Sequence, residues 1–141
     1  MSNNPLFTTL HAIQLSSIET KELFLRINEP SNDISIDKGD VKIASGHTPF
    51  NREDKTINVG IRLSLGMTEN DTEVPVSMRV EVMGTFTVDT DNFDEDKIEQ
   101  WAGQNAPLIL FPFIRENAVA LTSRCGLPPL ILPLLQLPTL K

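Results

Sequence analysis

Few side chains in this 141-residue sequence belong to the types that carry out covalent chemistry. The two histidines, His11 and His47, stand apart from each other, and we interpret both as surface or strand residues. Cys125 is the single cysteine, so no intramolecular disulfide is predicted and a reducing compartment is favoured. The sequence contains no serine elbow, no glycine-rich phosphate loop and no metal-spaced Cys/His cluster. It therefore predicts a protein that is not an enzyme and needs no cofactor.

One acidic cluster could in principle attract a metal ion. It consists of Asp89, Asp91, Asp94, Glu95 and Asp96. The cluster lacks the glycine and the spacing of an EF-hand calcium loop. It also precedes a predicted helix, whose positive N-terminal end favours carboxylates. Capping and solvation explain the cluster, so no metal site is predicted.

Composition and terminal pattern indicate which kinds of partner and which compartment to expect. Twelve basic against nineteen acidic residues give a net charge of −7, which argues against nucleic acid as a partner. The length fits one domain over residues 1–141, and 40% apolar residues are ordinary for a globular protein. The N-terminus has no signal-peptide pattern, and prolines interrupt the apolar residues 127–140. We expect a cytoplasmic protein that does not insert into membranes.

The first two thirds of the chain predict an antiparallel sheet. Residues 57–67 and 74–82 alternate apolar and polar side chains and form the clearest hairpin. Residues 6–15 read as an earlier strand and residues 23–27 as its continuation or a second strand, with a bulge or bend at Ser16 and Ser17. A weaker strand contains Ile34, Ile36, Val41 and Ile43, and residues 45–54 have the composition of a turn.

The last third predicts two helices. The first is capped by Asn92 with Glu95 as reciprocal partner, and it carries a narrow apolar face of Ile98, Trp101 and Ala102. The second begins at Pro112 and ends at Gly126, with an apolar stripe of Ile114, Ala118, Leu121 and Cys125. The predicted fold class is α+β: a four-stranded antiparallel sheet with two C-terminal helices packed on one face.

The second helix also carries a family resemblance. The runs Leu110-Phe111-Pro112-Phe113, Arg115-Glu116, Ser123-Arg124 and Leu127-Pro128 resemble the L-F-P-Y-x-R-E, S-R-G and F-P pattern of the SecB family of protein-export chaperones. Residues 84–88, Ala102-Gly103 and Pro107 also stand where that family has similar residues. The resemblance is specific over about residues 78–132 and only topological before them.

The resemblance implies a function, a site and an assembly. SecB-like chaperones hold unfolded polypeptides without ATP, in grooves lined by aromatic and aliphatic side chains. The residues that match the family's groove positions are Phe86, Phe111, Phe113 and Leu127. Because Phe111 lies three residues before Ile114 in the stripe, we expect Phe111 to be structural and Phe113 to contact clients. Padding of the helix–sheet interface is the alternative role for each ring.

The family also implies a homo-tetramer, a dimer of dimers. The narrow face of Ile98, Trp101 and Ala102 is expected to be under-covered in a monomer and to form an oligomer interface.

The sequence departs from the family at several positions. Gly126 falls one residue later than the family's helix stop, and Leu134-Leu135-Gln136-Leu137-Pro138 replaces a Pro-Val-Asn-Phe element. The family's longer C-terminal helix and tail are missing, since the chain stops at Lys141. Arg79 stands where export-type members tend to carry glutamate on an acidic sheet face that docks to the translocation motor SecA. Docking to SecA therefore stays open.

Two alternatives to a general or export chaperone remain at this point. The first is a dedicated chaperone of one partner, such as an antitoxin, which the missing tail and Arg79 favour. The second is a non-chaperone protein that binds a small apolar ligand or acts as an oligomer scaffold through the same sheet surface.

Overall fold

The chain folds as one antiparallel sheet with two helices on one face. The computed structural model describes residues 9–28, 41–66 and 75–132. Within them lie the strands β1 (Ile13–Ile27), β2 (Val41–His47), β3 (Thr56–Leu65) and β4 (Val76–Val88), a 3₁₀ turn (Glu95–Lys97), and the helices α1 (Ile98–Gln104) and α2 (Ala106–Arg124). The strand order is β1-β4-β3-β2, with every pair antiparallel. The predicted fold class is confirmed.

The central strands β3 and β4 supply most of the core. Their alternating apolar residues point towards the helices and are almost completely buried, as the sequence pattern predicted. The helix-facing set includes Ile57, Val59, Ile61, Leu63, Met78, Val80, Val82 and Phe86. α2 packs on β3 and β4, and α1 packs on β2 and β3. The helices therefore cover the middle of the sheet best.

The edge strand β1 contains two irregularities in its pairing with β4. The register shifts between Leu15 and Ser17 and again between Thr20 and Glu22. The first shift confirms the bulge predicted at Ser16 and Ser17, and the second was not predicted. Each extra residue reverses which side chains face the helices. The two shifts together explain why the alternation in this strand looks imperfect in the sequence.

β2 extends further than the sequence predicted, because Ser45 and His47 still pair with β3. The turn that follows is shorter than expected, and Lys55 in it has a φ of 56°. The predicted strand residues Leu6, Ile34, Ile36, Met67 and Val74 lie outside the described residues, as does the leucine-rich element 134–138.

The start of the first helix differs from the prediction. Asp94, not Asn92, caps the 3₁₀ turn that precedes α1, and its carboxylate accepts a hydrogen bond from the Asp96 N–H at 3.0 Å. Asn92 instead donates from its side chain to the Asp89 carboxylate at 2.6 Å. The acidic residues are thus used for capping and turn formation, which agrees with the interpretation that the helix start favours negative charge.

α2 begins six residues earlier than predicted. A single residue, Asn105, separates it from α1, and Pro107 supplies the favourable early proline. Pro112 therefore lies inside the helix, where it removes one backbone donor. Its ring is exposed, so the helical carbonyl that loses this donor is near solvent and the cost is limited.

The buried stripe of α2 also differs in part from the prediction. Ile114 and Ala118 face the core as expected, and Leu121 is partly buried. Cys125, however, is exposed at the C-cap, because Thr122 and not Cys125 ends the buried face. Gly126 adopts a φ of 73°, and the hydrogen bonds Leu127 N–H to Thr122 C=O and Gly126 N–H to Ser123 C=O complete a Schellman motif. The predicted helix end is confirmed.

One glycine allows the close approach of helix and sheet. A Cβ atom at Gly84 in β4 would lie 2.7 Å from Leu110 Cδ2 and 2.9 Å from Leu15 Cδ1. Both distances are below any normal carbon–carbon contact, and Leu110 is fully buried. The absence of a side chain at Gly84 thus lets Leu110 of α2 lie directly on the strand.

We expect Gly84→Ala to destabilise the protein by about 1–3 kcal/mol, because it overpacks a closed core. Gly60→Ala is the matched control, since a Cβ there meets nothing closer than 3.9 Å. The control should be neutral or slightly stabilising through its effect on the unfolded chain. Urea unfolding of both variants at one protein concentration measures the difference, and equal stabilities would contradict the close approach at Gly84.

Candidate functional site

The four residues proposed to bind polypeptide lie in two different environments. Phe86 is fully buried, and its ring meets that of Trp101 edge to face at a centroid distance of 5.3 Å. Phe111 is 4% exposed and belongs to the same core. Neither ring can touch a client in this arrangement, so their structural role is the one that the geometry supports.

Phe113 and Leu127 lie at the border of the core. Both are partly buried and pack against the buried cluster. Phe113 is on the flank of α2 opposite to Phe111, since two residues correspond to about 200° around a helix. The predicted contrast between a covered Phe111 and a more accessible Phe113 therefore holds for burial; client contact by Phe113 stays a prediction.

The residues proposed for an oligomer interface are also covered within the chain. Ile98, Trp101 and Ala102 are each no more than 4% exposed, because α1 turns this face onto the sheet. The expectation that this face is under-covered in a single chain is therefore wrong. The burial of this face removes the physical reason to expect an oligomer interface there. That the chain forms oligomers stays a prediction.

Uncovered apolar surface occurs instead along β1. The register pairs Ile18 with Gly84, Leu23 with Val80, and Ile27 with Val76, and these partners face the helices. Directly paired residues share a face, so the three aliphatic side chains also lie on the helix side. They are 37%, 45% and 42% exposed. We call Ile18, Leu23 and Ile27 the β1 row.

A second apolar surface borders α2. After the helix, residues 127–132, the post-helix segment, return along it, and Leu132 is buried whereas Ile131 is 75% exposed. Between helix and segment lies a groove of about 400 Å³, which we call the α2 groove; it is lined by Pro112, Arg115, Glu116, Val119, Ile131 and Leu132. Its lining is largely apolar, with one cation and one anion at its side.

The other face of the sheet is polar and nearly balanced in charge. Arg79 faces outward as predicted, but it lies against Glu22 in a close contact that is not aligned as a hydrogen bond. Arg62 Nη2 pairs with Glu81 Oε1 at 2.7 Å. At Glu19, the Lys21 ammonium lowers the pKa of the carboxyl. This face thus carries paired charges and lacks an acidic surplus among its described residues.

The groups that could do chemistry serve structural roles. His11 Nδ1 accepts a hydrogen bond from the Ile13 N–H at 2.9 Å, and its ring packs near Trp101 and Phe93. His47, on the edge strand β2, has its Nδ1 4.0 Å from a carboxylate oxygen of Glu99 in α1. In the described part of the chain, no three His, Cys, Asp or Glu side chains come together in a way that could hold a metal ion.

Sequence reasoning missed the β1 row, although a signal for it exists. The residues of β1 that face the helices follow one another in steps of two, interrupted by two steps of three; all but Thr20 are aliphatic, and the series is Ile13, Leu15, Ile18, Thr20, Leu23, Leu25 and Ile27. A step of three in a strand indicates a bulge that keeps the next side chain on the same face. The α2 groove had no comparable signal, because it depends on the return of the post-helix segment.

Comparison with known proteins identifies the family to which this architecture belongs. Its four-stranded antiparallel sheet with helices on one face is the fold of a SecB-like chaperone. The family described as "Preprotein translocase subunit SecB" matches residues 10–140, and the chain therefore belongs to the SecB family of chaperones. Of the helices in the described ranges, none is long and apolar enough to cross a membrane.

Individual relatives agree with this assignment. The chain is 30% identical over 111 residues to "Protein-export protein SecB" of Neisseria meningitidis. This alignment covers 79% of this chain and 68% of that protein. It is 35% identical over 83 residues to the uncharacterized protein MJ0357 of Methanocaldococcus jannaschii, covering 59% of this chain and 52% of that protein. The chain thus spans about half of the length of the archaeal relative.

A solved structure shares the fold. The Mycobacterium tuberculosis Rv1957 SecB-like chaperone, solved with a ChAD peptide of the HigA1 antitoxin, superposes with a TM-score of 0.67 at 19% identity. The match covers 89% of this chain and 88% of that chain.

The two phenylalanines around Pro112 provide a test of the site. Phe111→Ala should lower the free energy of unfolding by about 3–5 kcal/mol, since it empties a buried position. Phe113→Ala removes a partly exposed ring and should cost about 1–2 kcal/mol. Thermal and urea unfolding of the two variants measure this difference. A loss in Phe113→Ala as large as that in Phe111→Ala would mean that Phe113 is a core residue and unavailable to clients.

Proposed function

We propose that the protein is an ATP-independent holdase of the cytoplasm, which binds non-native polypeptide on the helix side of its sheet. The observation that carries the proposal is the β1 row, where Ile18, Leu23 and Ile27 keep more than a third of their surface exposed along one strand. Large aliphatic side chains in line offer an extended polypeptide repeated contacts of one kind. Such a surface selects clients by exposed apolar side chains rather than by sequence.

The energetics suit binding and release without nucleotide. Covering on the order of 1,000 Å² of apolar surface would contribute roughly 25 kcal/mol. Ordering ten to fifteen client residues at about 1–2 kcal/mol each offsets much of this gain. A moderate affinity remains for each site. Binding at the β1 row and at the α2 groove together would raise it by avidity.

The α2 groove and its borders complete the proposed surface. Val119 and Leu132 provide an apolar floor and wall, while Arg115 and Glu116 lie at the side. Phe113 and Leu127, partly buried at the edge of the core, are the two predicted contact residues that remain accessible enough to take part. For Phe86 and Phe111 we propose the role of supporting the helix from within.

Clients should lose affinity when the β1 row becomes polar. In the double variant Leu23→Gln/Ile27→Gln, the concentration that half-suppresses aggregation of an unfolded model protein should rise by about fivefold or more, as expected for the loss of about 1 kcal/mol of binding. Both positions are partly exposed, so the fold should remain.

Phe24→Gln is the matched control, because Phe24 is on the same strand but pairs with Arg79 on the opposite face. It should retain the activity of the unchanged protein. Equal losses in the control and the double variant, with intact melting transitions, would refute binding at the β1 row.

We also propose that the chain assembles, as a dimer of dimers. β1 is a 15-residue edge strand, and unpaired edges of this length favour pairing with another chain. Pairing along the edge uses backbone groups in the plane of the sheet and leaves the β1 row free on its face. Static light scattering at micromolar concentration should give about four times the chain mass of 15.7 kDa. A value equal to the single-chain mass would exclude the assembly.

A dedicated chaperone of one partner is the second candidate function. The observation that favours it is the outer sheet face, where Arg79 and Arg62 are paired with glutamates and the described residues carry no acidic surplus for an export motor such as SecA. The peptide bound to the Mycobacterium tuberculosis chaperone, which comes from an antitoxin, is consistent with this candidate. Co-purification from its own cells followed by mass spectrometry distinguishes the functions: many unfolded clients, with or without SecA, or one stoichiometric partner.

A further inference from the structure

Thr122 ties the end of α2 to the chain that follows it. The residue is only 1% exposed. Its backbone carbonyl accepts a hydrogen bond from the Leu127 N–H at 2.9 Å. Its hydroxyl accepts one from the Leu130 N–H at 3.0 Å and donates to the Ala118 carbonyl at 2.8 Å. Both the backbone and the side chain of Thr122 therefore hold the post-helix segment.

The bond to Leu130 has a special position in this segment. Pro128 and Pro129 precede Leu130 and have no N–H, so Leu130 is the first residue after Leu127 that can donate from its backbone. The next two residues, Ile131 and Leu132, form the wall of the α2 groove. The hydroxyl of Thr122 thus holds the post-helix segment at Leu130, the residue immediately before this wall.

We propose that Thr122 is a positioning residue for client binding, which acts by fixing the Ile131–Leu132 wall of the α2 groove through the Leu130 N–H. This inference rests on the proposed function, since it places client side chains in that groove. A wall that spends only part of its time in place lowers the apparent affinity by that fraction. Thr122 touches no client itself and contributes by keeping the groove formed.

Two substitutions remove the same hydrogen bond from opposite ends. Thr122→Val keeps the β-branched shape and removes the hydroxyl, whereas Leu130→Pro removes the donor N–H and leaves α2 unchanged. Thr122→Ser keeps the hydroxyl and serves as the rescue variant. Thr87→Val is the matched control, because Thr87 is exposed on β4, away from the groove.

Two readouts are measured on the full chain. Residue-resolved hydrogen exchange follows the amide of Leu130, which donates to the Thr122 hydroxyl, and the dissociation rate is measured for reduced, carboxymethylated α-lactalbumin, a permanently unfolded client. Loss of one net hydrogen bond should make exchange at Leu130 about fivefold faster in Thr122→Val, and client dissociation about fivefold faster in Thr122→Val and in Leu130→Pro. Thr122→Ser should remain close to the unchanged protein, and Thr87→Val should alter neither rate.

Each other outcome overturns the inference at a different step. If exchange becomes faster but dissociation does not, the wall is not part of the client site, and the proposed function can still stand through the β1 row. If exchange at Leu130 is unaffected in Thr122→Val, Thr122 does not hold the wall. If the unchanged protein retains no α-lactalbumin, the proposed function fails and the inference with it.

Discussion

The contact between Leu110 and Gly84 fixes how α2 lies on the sheet. With no side chain at Gly84, the helix comes close enough for Leu110 to rest on β4 beside Leu15 and Phe86. A helix about 28 Å long held at this height covers the central strands, and the apolar residues of β3 and β4 are almost inaccessible as a result. The same placement leaves the helix side of β1 only partly covered. Core and candidate binding surface are therefore two consequences of one packing arrangement.

The two bulges of β1 determine what this uncovered edge presents. With regular pairing after Leu15, the positions opposite β4 on the helix side would be Ser17 and Glu19, and Ile18 would face outward. The first extra residue turns Ile18 towards the helices, and the second restores the original alternation in time for Leu23 and Ile27. The strand thus keeps its aliphatic residues on one face while charged residues occupy the other. A surface intended only for solubility would not need this correction, which supports a binding role for the β1 row.

How far the sequence predicted the structure depended on whether a signal was local. The alternation of β3 and β4 and the end of α2 at Gly126 were correct, because side-chain period and left-handed glycine are properties of a few neighbouring residues. The start of α2 was wrong, because Pro107 and the tertiary packing of Leu110 and Phe111 outweigh the interruption at Pro112. For the candidate site, the burial of each side chain determined which predicted residues can contact a client. Family position alone could not distinguish the buried Phe86 from the accessible Phe113. The α2 groove depends on a chain reversal that no short pattern encodes.

An apolar binding surface must also avoid attracting copies of its own kind, and the charge distribution addresses this problem. The chain carries a net charge of −7, and Arg115 and Glu116 lie beside the otherwise apolar α2 groove. On the outer sheet face, opposite charges are placed on neighbouring strands, so that Arg62 meets Glu81 and Arg79 meets Glu22. Pairs that remain a third to a half exposed contribute less than about 1 kcal/mol each, so their main effect is on recognition and not on stability. Charges that are already paired in this way offer little to a strongly charged partner. The helix side differs in kind, because the β1 row exposes aliphatic side chains there, and this contrast supports the proposal that clients bind on that side.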